Sequence, residues 1–409
     1  MRALLIVNPH ATSTTRGRRD VIVRALASAV DLEVVETRYR GDATVLAATA
    51  ASDKFGLVMT LGGDGTVNEA VNGLLGGVGQ AGRLDLAAGH DPAAACSPGG
   101  TGPAGAPDGK RPAGRAADGP EHGGLAGATA GAGATAGAGA AETTEAMRSA
   151  DPAGAVLLTD RRGPATSPRP ENLAPEPPPS AGDLPALAAL PGGNANVFVR
   201  SLRMPTDPVD AAGRLIEDLA AGHERTIGLG TANGRYFTFN AGLGLDAEVV
   251  RAVEGRRAHG RRLTPALYAR TALRQYYQVT DRRHPAISIA EPAGLAPGPA
   301  FICIVSNSAP WTYLGRRPVN TNPDASFDTG LDLLALRSLG TIATARTLRQ
   351  MLAERADPPG GRTVVTGHDL AAVELYAARP LAFQLDGEYM GEAENVTFRS
   401  VPRALRVIA

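Results

Sequence analysis

Three short segments carry residues whose types and spacing suit phosphate chemistry. The first is LGGDGTVNEA at residues 61–70. It follows an apolar run and precedes a helical pattern, so Gly62, Gly63 and Gly65 let the backbone come close to an anion that faces the N–H groups of a helix start. Thr66 closes the turn. Asp64 in the middle of it would repel a phosphate unless it served as a base or as a magnesium partner. A lysine-bearing phosphate loop is excluded, because no GKS or GKT follows and the only lysines are Lys54 and Lys110. Positive charge must come from arginine, backbone dipoles or a metal. The second segment, LPGGNANVF at 190–198, repeats the design with Gly193, Asn194 and Asn196. The third, QLDGEYMGE at 384–392, sets Asp386 and Glu388 two apart around a glycine. Two such carboxylates can anchor a magnesium ion, and the same pattern can be a plain Asp-Gly hairpin turn; spacing does not choose between them.

A fourth glycine pattern, GxGxxA at 242–247, looks like a dinucleotide fingerprint but lacks its context. Arg262 stands where an acidic residue should hold a ribose, and the strand before it belongs to a hairpin. Motifs for zinc peptidases, thiol redox centres and serine hydrolases are absent. Arg251, Arg256, Arg257, Arg261, Arg262, Arg270 and Arg274 crowd one stretch opposed only by Glu254, which suits a solvated helix face, a polyphosphate or an anionic membrane.

The elements that must position these residues alternate. ALLIV at 3–7 reads as a strand buried on both faces, followed by a helix with Ile22, Ala25 and Leu26 at helical spacing. A strand at 32–37, a helix opening at Asp42, a strand at 55–61 and a helix ending at Gly76-Gly77 come next. A strand at 187–190 and a helix at about 195–202 complete a βαβα series, which implies a mostly parallel, doubly wound sheet. In such a sheet Asn8 and both glycine loops meet at the carboxyl ends of the strands. From about residue 226 the pattern turns β-rich. Asn233-Gly234 marks a hairpin, and further strands are expected at 286–290, 301–306, 331–336, 372–376, 381–385 and 396–398, interrupted by helices near 264–277 and 341–355.

Composition separates the folded chain from something else. Residues 80–189 hold 19 glycines, 15 prolines and no aromatic residue, about 31% Gly and Pro against about 16% in the other 299 positions. Without aromatics the stretch cannot bury enough apolar surface to offset the entropy of ordering, so it reads as a disordered insertion whose role, as tether, partner-binding tail or inert expansion, the composition leaves open. The expected domains are 1–205, interrupted by the insertion, 206–395, and a C-terminal strand segment at 396–409 that returns to the first domain. With 41 basic and 41 acidic side chains the net charge is zero, so no global field draws the chain to nucleic acid. Cys96 and Cys303 make neither a disulfide framework nor a metal site. With no signal peptide or membrane span in the sequence, a cytoplasmic location is expected.

Taken in order, VNP at Val7, ETRYRGDA at Glu36, TLGGDGTVNEAVNGLL at Thr60, LPGGNANVFVRSL at Leu190, NAGLGLDAEVV at Asn240, NPDASFDTGLD at Asn322, QLDGE at Gln384 and VPRALRVI at Val401 resemble the diacylglycerol kinase catalytic family, which includes sphingosine and ceramide kinases. The resemblance implies an α/β nucleotide domain, a C-terminal β-sandwich domain, and transfer of the γ-phosphoryl group of Mg-ATP to a lipid hydroxyl, with diacylglycerol the first choice and a sphingoid base the alternative. It implies nucleotide contacts from Asn8, Thr37, Gly62, Gly63, Gly65, Thr66, Glu69, Gly193 and Asn196, with Arg256 and Arg261 near phosphate. Asp386 and Glu388 match the catalytic magnesium pair, Asp246 and Glu248 the groups that meet the lipid head. Asp328 and Asp332 resemble a structural magnesium loop, although Thr329 stands where many members have a second aspartate. Bacterial members often carry an aspartate, proposed as general base, where this chain has Val197, which leaves Asp64 as the base. The expected partner is a lipid at the inner face of the membrane, with homodimer formation open.

Overall fold

The computed structural model describes residues 1–11, 14–87, 182, 184–258, 265–290, 295, 298–353 and 357–409. The stretch read as a disordered insertion therefore lies outside the described residues, except at its two ends. The N-terminal half runs β1 (Arg2–Val7), α1 (Arg16–Ala27), β2 (Asp31–Glu36), α2 (Asp42–Ser52), β3 (Leu57–Gly62), α3 (Asp64–Ala87), β4 (Ala186–Pro191), α4 (Val197–Ser201) and α5 (Pro208–Ala221). Its strands are parallel in the order β4-β3-β1-β2. β3 and β4 are buried at every position, as strands covered by helices on both faces must be. The connection from β1 to β2 runs one way along the sheet and those from β2 to β3 and β3 to β4 run the other, so right-handed crossovers put α1 opposite α2 and α3. The direction reverses between β1 and β3, which is where a crevice opens at their carboxyl ends.

The C-terminal half is antiparallel. It contains β5 (Arg225–Ala232), β6 (Arg235–Phe237), β7 (Asn240–Gly244), α6 (Leu245–Ala258), α7 (Pro265–Arg274) running into a π-helical turn (Gln275–Val279), β8 (Ile287–Ile289), β9 (Gly298–Ala300) and β10 (Ile302–Ser306). β11 (Thr312–Leu314), β12 (Arg317–Val319), β13 (Leu331–Leu336), α8 (Thr341–Met351), β14 (Val364–Leu370), β15 (Ala372–Leu385) and β16 (Glu388–Val407) complete it. The chain thus has the mixed α/β fold expected, a parallel sheet followed by antiparallel strands. Among the described residues 14 strands of the two halves form one hydrogen-bonded sheet and β11 and β12 pair separately; the halves join because β16 pairs with β15 and β5 and its last residues reach β4 in parallel, Val407 opposite Leu187.

Three local expectations change. α3 continues to Ala87 instead of ending at Gly76-Gly77, since a helix-interior glycine costs only about 1 kcal/mol and does not by itself stop a helix. The strands read at 372–376 and 381–385 are one strand, β15, whose register shifts between Tyr376 and Leu381. α5 was not foreseen, although Asp207 caps it through Val209 N at 2.9 Å, Pro208 occupies its first turn and Gly222 ends it at φ 68°.

Candidate active site

The crevice at the strand ends is built from backbone first. Asn8, the residue after β1, donates its N–H to the Leu61 carbonyl at 3.0 Å and its Nδ2 to Thr66 Oγ1 at 3.2 Å, tying the first loop to the start of α3. The Gly63 carbonyl accepts from the N–H groups of Thr66 and Val67. Asp64 and Gly65 are then the first two residues of the helix, and helical geometry gives their N–H groups no partner within it. The two glycine loops lie against one another. Gly192 donates to the Gly62 carbonyl at 2.7 Å, and a Cβ on Gly193 would stand 2.7 Å from Gly63 Cα. Glycine is required at 193 for that approach, whatever the loops bind. Asn196, left-handed at φ 47°, both accepts from Gly193 N and donates to Gly193 O at 2.8 Å, which fixes the second loop as a rigid turn. Thr37, half-buried, donates its backbone N–H to Val7 O at 2.9 Å at the same end of the sheet.

The carboxylates around this frame have unequal tasks. Asp64 Oδ2 accepts from Val197 N at 3.0 Å and Oδ1 from Phe198 N at 3.1 Å, so the aspartate of the first loop holds the start of α4 after the second. Burial pushes its pKa up to about 6 against those two hydrogen bonds. Each oxygen keeps one lone pair. Asp386 is different: it is 3% exposed, and its oxygens accept from Thr238 N and Oγ1, Phe239 N, Asn240 N and Asn68 Nδ2, at 2.7 to 3.2 Å. Five donors on two oxygens leave no lone pair for a cation, and the expectation that Asp386 holds magnesium gives way to a structural role. It sits with Gly387 at positive φ (49° and 77°) in the two-residue turn between β15 and β16, and its cage fixes that turn against α3.

Glu388 is the carboxylate that this turn delivers. A Cβ on Gly65 would fall 1.8 Å from Glu388 Oε1, so the carboxyl group rests on the first turn of α3. Glu388 Oε2 accepts from Arg40 Nη2 at 2.8 Å, and Arg40 also lies 3.7 Å from Glu254. Glu69, one turn farther along α3, accepts from Gly41 N at 2.8 Å and Ala43 N at 3.3 Å and caps α2; burial raises its pKa to about 7. Arg235 of β6 points into the same region, with Nη2 3.4 Å from Asn68 Oδ1. Arg40, Asn68 and Arg235 escaped the reading of the sequence. Asn68 stands in the first motif and Arg40 in the ETRYRGDA segment, but only the fold shows that they meet Asp386 and Glu388, more than 300 positions away.

The other predicted residues lie apart from this centre or have partners of their own. Asp246 is buried beside Gly242 and accepts from Gln384 Nε2 at 2.8 Å; burial pushes its pKa up to about 6. Gln384 also donates to Asn240 Oδ1 at 2.9 Å, which links Asp246 to the Asp386 cage. Glu248 accepts from Thr280 Oγ1 at 2.5 Å, under the π-helical turn. Arg256 donates to Thr271 Oγ1 within a cavity it shares with Arg274 and Gln275, and Arg261 lies outside the described residues. Asp328 pairs with Arg225 at 2.5 Å and Asp332 with His368 at 2.9 Å, so each of these two carboxylates has a partner of its own. No group of three or more His, Cys, Asp or Glu side chains suited to a metal occurs among the described residues. A magnesium ion held by one carboxylate, phosphate oxygens and water still fits Glu388, whose Oε1 has no hydrogen-bond partner among the described residues.

Comparison with known proteins finds one family model and a set of solved structures with the same fold. Residues 2–108 match the model of the diacylglycerol kinase catalytic domain. Over this N-terminal stretch the chain is similar to the diacylglycerol kinase catalytic domain. Members of that family are typically ATP-dependent lipid kinases. A crystal structure of a diacylglycerol kinase from Bacillus anthracis str. Sterne shares the fold with a TM-score of 0.56 and 16% identity, covering 100% of this chain and 96% of that one. Two further structures from the same organism, provisionally assigned as diacylglycerol kinases, give 0.60 and 0.58 at 19% identity with the same coverage. No curated protein matches the sequence. At such identities the neighbours speak for the fold alone.

Proposed function

We propose that this chain is a member of the diacylglycerol kinase catalytic family and transfers the γ-phosphoryl group of ATP to the hydroxyl of diacylglycerol, giving phosphatidate. The observation that carries the reading is the meeting of three segments at one point: the Gly62–Gly65 loop backed onto Gly192–Gly193, with the Glu388 carboxyl lying on Gly65. Phosphoryl transfer asks for positioning and charge stabilisation rather than covalent chemistry, and a helix start with open N–H groups beside a carboxylate supplies both.

In this reading Gly62, Gly63, Gly65 and Thr66 receive phosphate oxygens, Gly193 and Asn196 hold the second wall, and Asn8, Thr37 and Glu69 line the nucleotide. Magnesium, when bound, neutralises phosphate charge, and Glu388 is the side chain that would hold it. Asp386 acts through the turn it locks. Asp64 orients the acceptor hydroxyl with a lone pair not spent on α4 and takes its proton late, as the burial-raised pKa of about 6 permits at neutral pH. Asp246 and Glu248 face the lipid head. Arg256 serves the cavity under α7.

The lipid acceptor is met at a membrane surface. No helix among the described residues is long and apolar enough to cross a membrane. α7 and its π-helical turn instead expose Leu273, Tyr277 and Val279, each more than half exposed, next to exposed Arg270 and Arg274. Apolar side chains flanked by arginines suit the interface of an anionic bilayer.

The test is transfer of label from γ-labelled ATP to a lipid panel in mixed micelles. Label in phosphatidate supports the proposal. Label in a sphingoid base and none in phosphatidate moves the acceptor, and ATP binding with no labelled lipid makes the chain a silent nucleotide-binding protein.

A further inference from the structure

The first loop has no lysine, and the mouth beside it is crowded with acids. Glu388, Glu254 and Glu69 all place negative charge on Arg40, and burial is the largest influence opposing its charge. Left alone, these three carboxylates would repel a polyphosphate from the start of α3. Arg40 is the side chain positioned to reverse that field. It stands on the loop between β2 and α2, next to Gly41, whose N–H is held by Glu69 together with that of Ala43 in the first turn of α2, and it contacts Glu388 Oε2 at 2.8 Å and the Tyr389 carbonyl at 3.4 Å. Its side chain is 55% exposed, so a phosphate can approach it from solvent although Glu388 and Glu254 flank it. Arg235 adds a second charge from the other side, with a buried Nε that has no hydrogen-bond partner.

We propose that Arg40 is a phosphate-binding residue of this site, shared between Glu388 and the polyphosphate of the nucleotide. The inference rests on the kinase reading and extends it by naming the cation that stands in for the missing lysine. A guanidinium offers five N–H donors in a fixed fork, so it can keep one bond to Glu388 and turn another to a phosphate oxygen. The arrangement also predicts competition. The carboxylate that Arg40 neutralises is the one suited to magnesium, so removing the arginine weakens binding of the metal-free nucleotide and at the same time frees Glu388.

The experiment measures ADP binding by calorimetry for wild type, Arg40→Gln, Arg40→Lys and a control, Arg2→Gln, whose pair with Glu33 lies at the opposite end of β1. With EDTA present, Arg40→Gln is expected to bind ADP at least tenfold more weakly, the lower end for a charged hydrogen bond, while Arg40→Lys recovers part of the loss. With nucleotide present, the magnesium concentration giving half-maximal binding enhancement should fall in Arg40→Gln. Thermal melting of each variant shows whether the fold is kept. Unchanged ADP affinity in a folded Arg40→Gln overturns the proposal, as does a loss matched by Arg2→Gln. If wild type binds no ADP with or without magnesium, the kinase reading itself fails, a different result from a silent Arg40 variant.

Discussion

Asp64 does two things with one carboxylate: it holds the first turn of α4 through two backbone N–H groups, and in the proposed reaction it receives a proton. The two roles separate by pH. A base must be ionised, and burial sets its pKa at about 6, so kcat/KM for lipid phosphorylation should be flat at neutral pH and fall as pH drops through 6. Asp64→Asn should lose at least about a hundredfold, the low end for a general base, and the residual activity should no longer fall through 6. A residual rate that keeps the wild-type acid limb would leave Asp64 as a positioning group only. Gly65 permits a cleaner separation of site from scaffold. A methyl group there collides with the end of a flexible side chain, Glu388 Oε1 at 1.8 Å, and with no backbone. Gly65→Ala should therefore melt within a few degrees of wild type and show a large rise in the magnesium concentration needed for activity, measured by titrating magnesium at fixed ATP.

Elements were legible in the sequence where their signals are local. The parallel strands β1, β3 and β4 were visible as short, largely apolar runs and β2 from Leu32, Val34 and Val35 among its acidic residues, and the hairpin at Asn233-Gly234 because only residues tolerant of positive φ make a two-residue turn; those φ values are 49° and 85°. The two glycine loops were legible as phosphate turns, but not their mutual packing, which depends on β3 and β4 being neighbours although the described residues leave a long stretch of sequence between them. Asp386 and Glu388 looked alike by spacing, and what separates them is a cage assembled from β7, the residues before it and α3. Glu69 is the element-scale residue with a measurable consequence. Its pKa rises to about 7 because capping α2 buries it, so the native state binds a proton more tightly than the unfolded chain, whose glutamates titrate near 4.5. That contribution to stability is complete below about 4.5 and lost as pH rises through about 7. Asp64 and Asp246, raised to about 6, act in the same sense. The melting temperature should therefore decline from pH 5 to pH 8, and Glu69→Gln, which keeps an acceptor oxygen but cannot ionise, should decline less. An unaltered slope in that variant would assign the pH dependence to the other buried acids.

At the scale of the molecule, β16 is the strand on which both halves depend. Its first residue is Glu388 at the crevice, and along its 20 residues it pairs with β15, then β5, and finally β4 of the parallel sheet. The early part belongs to the apolar core of the antiparallel half through Val396 and Phe398, the last part to the core of the parallel half through Ala404, Leu405 and Val407. A lipid-binding half hinged loosely on a nucleotide-binding half would unfold in two steps, whereas a shared strand makes each half lose a sheet edge when the other opens. Leu405, 1% exposed and paired opposite Ile227, discriminates between the two. Leu405→Ala removes buried methyl groups at a cost of about 2 to 5 kcal/mol. If the sheet is one cooperative unit, that cost should appear in the antiparallel half too: fluorescence of Trp311, which lies in that half, and far-ultraviolet circular dichroism should fall together to one lower denaturant midpoint. Should Trp311 keep its wild-type midpoint while part of the dichroism signal is lost early, the halves are separate folding units, and the crevice between Gly65 and Glu388 is free to open without unfolding either.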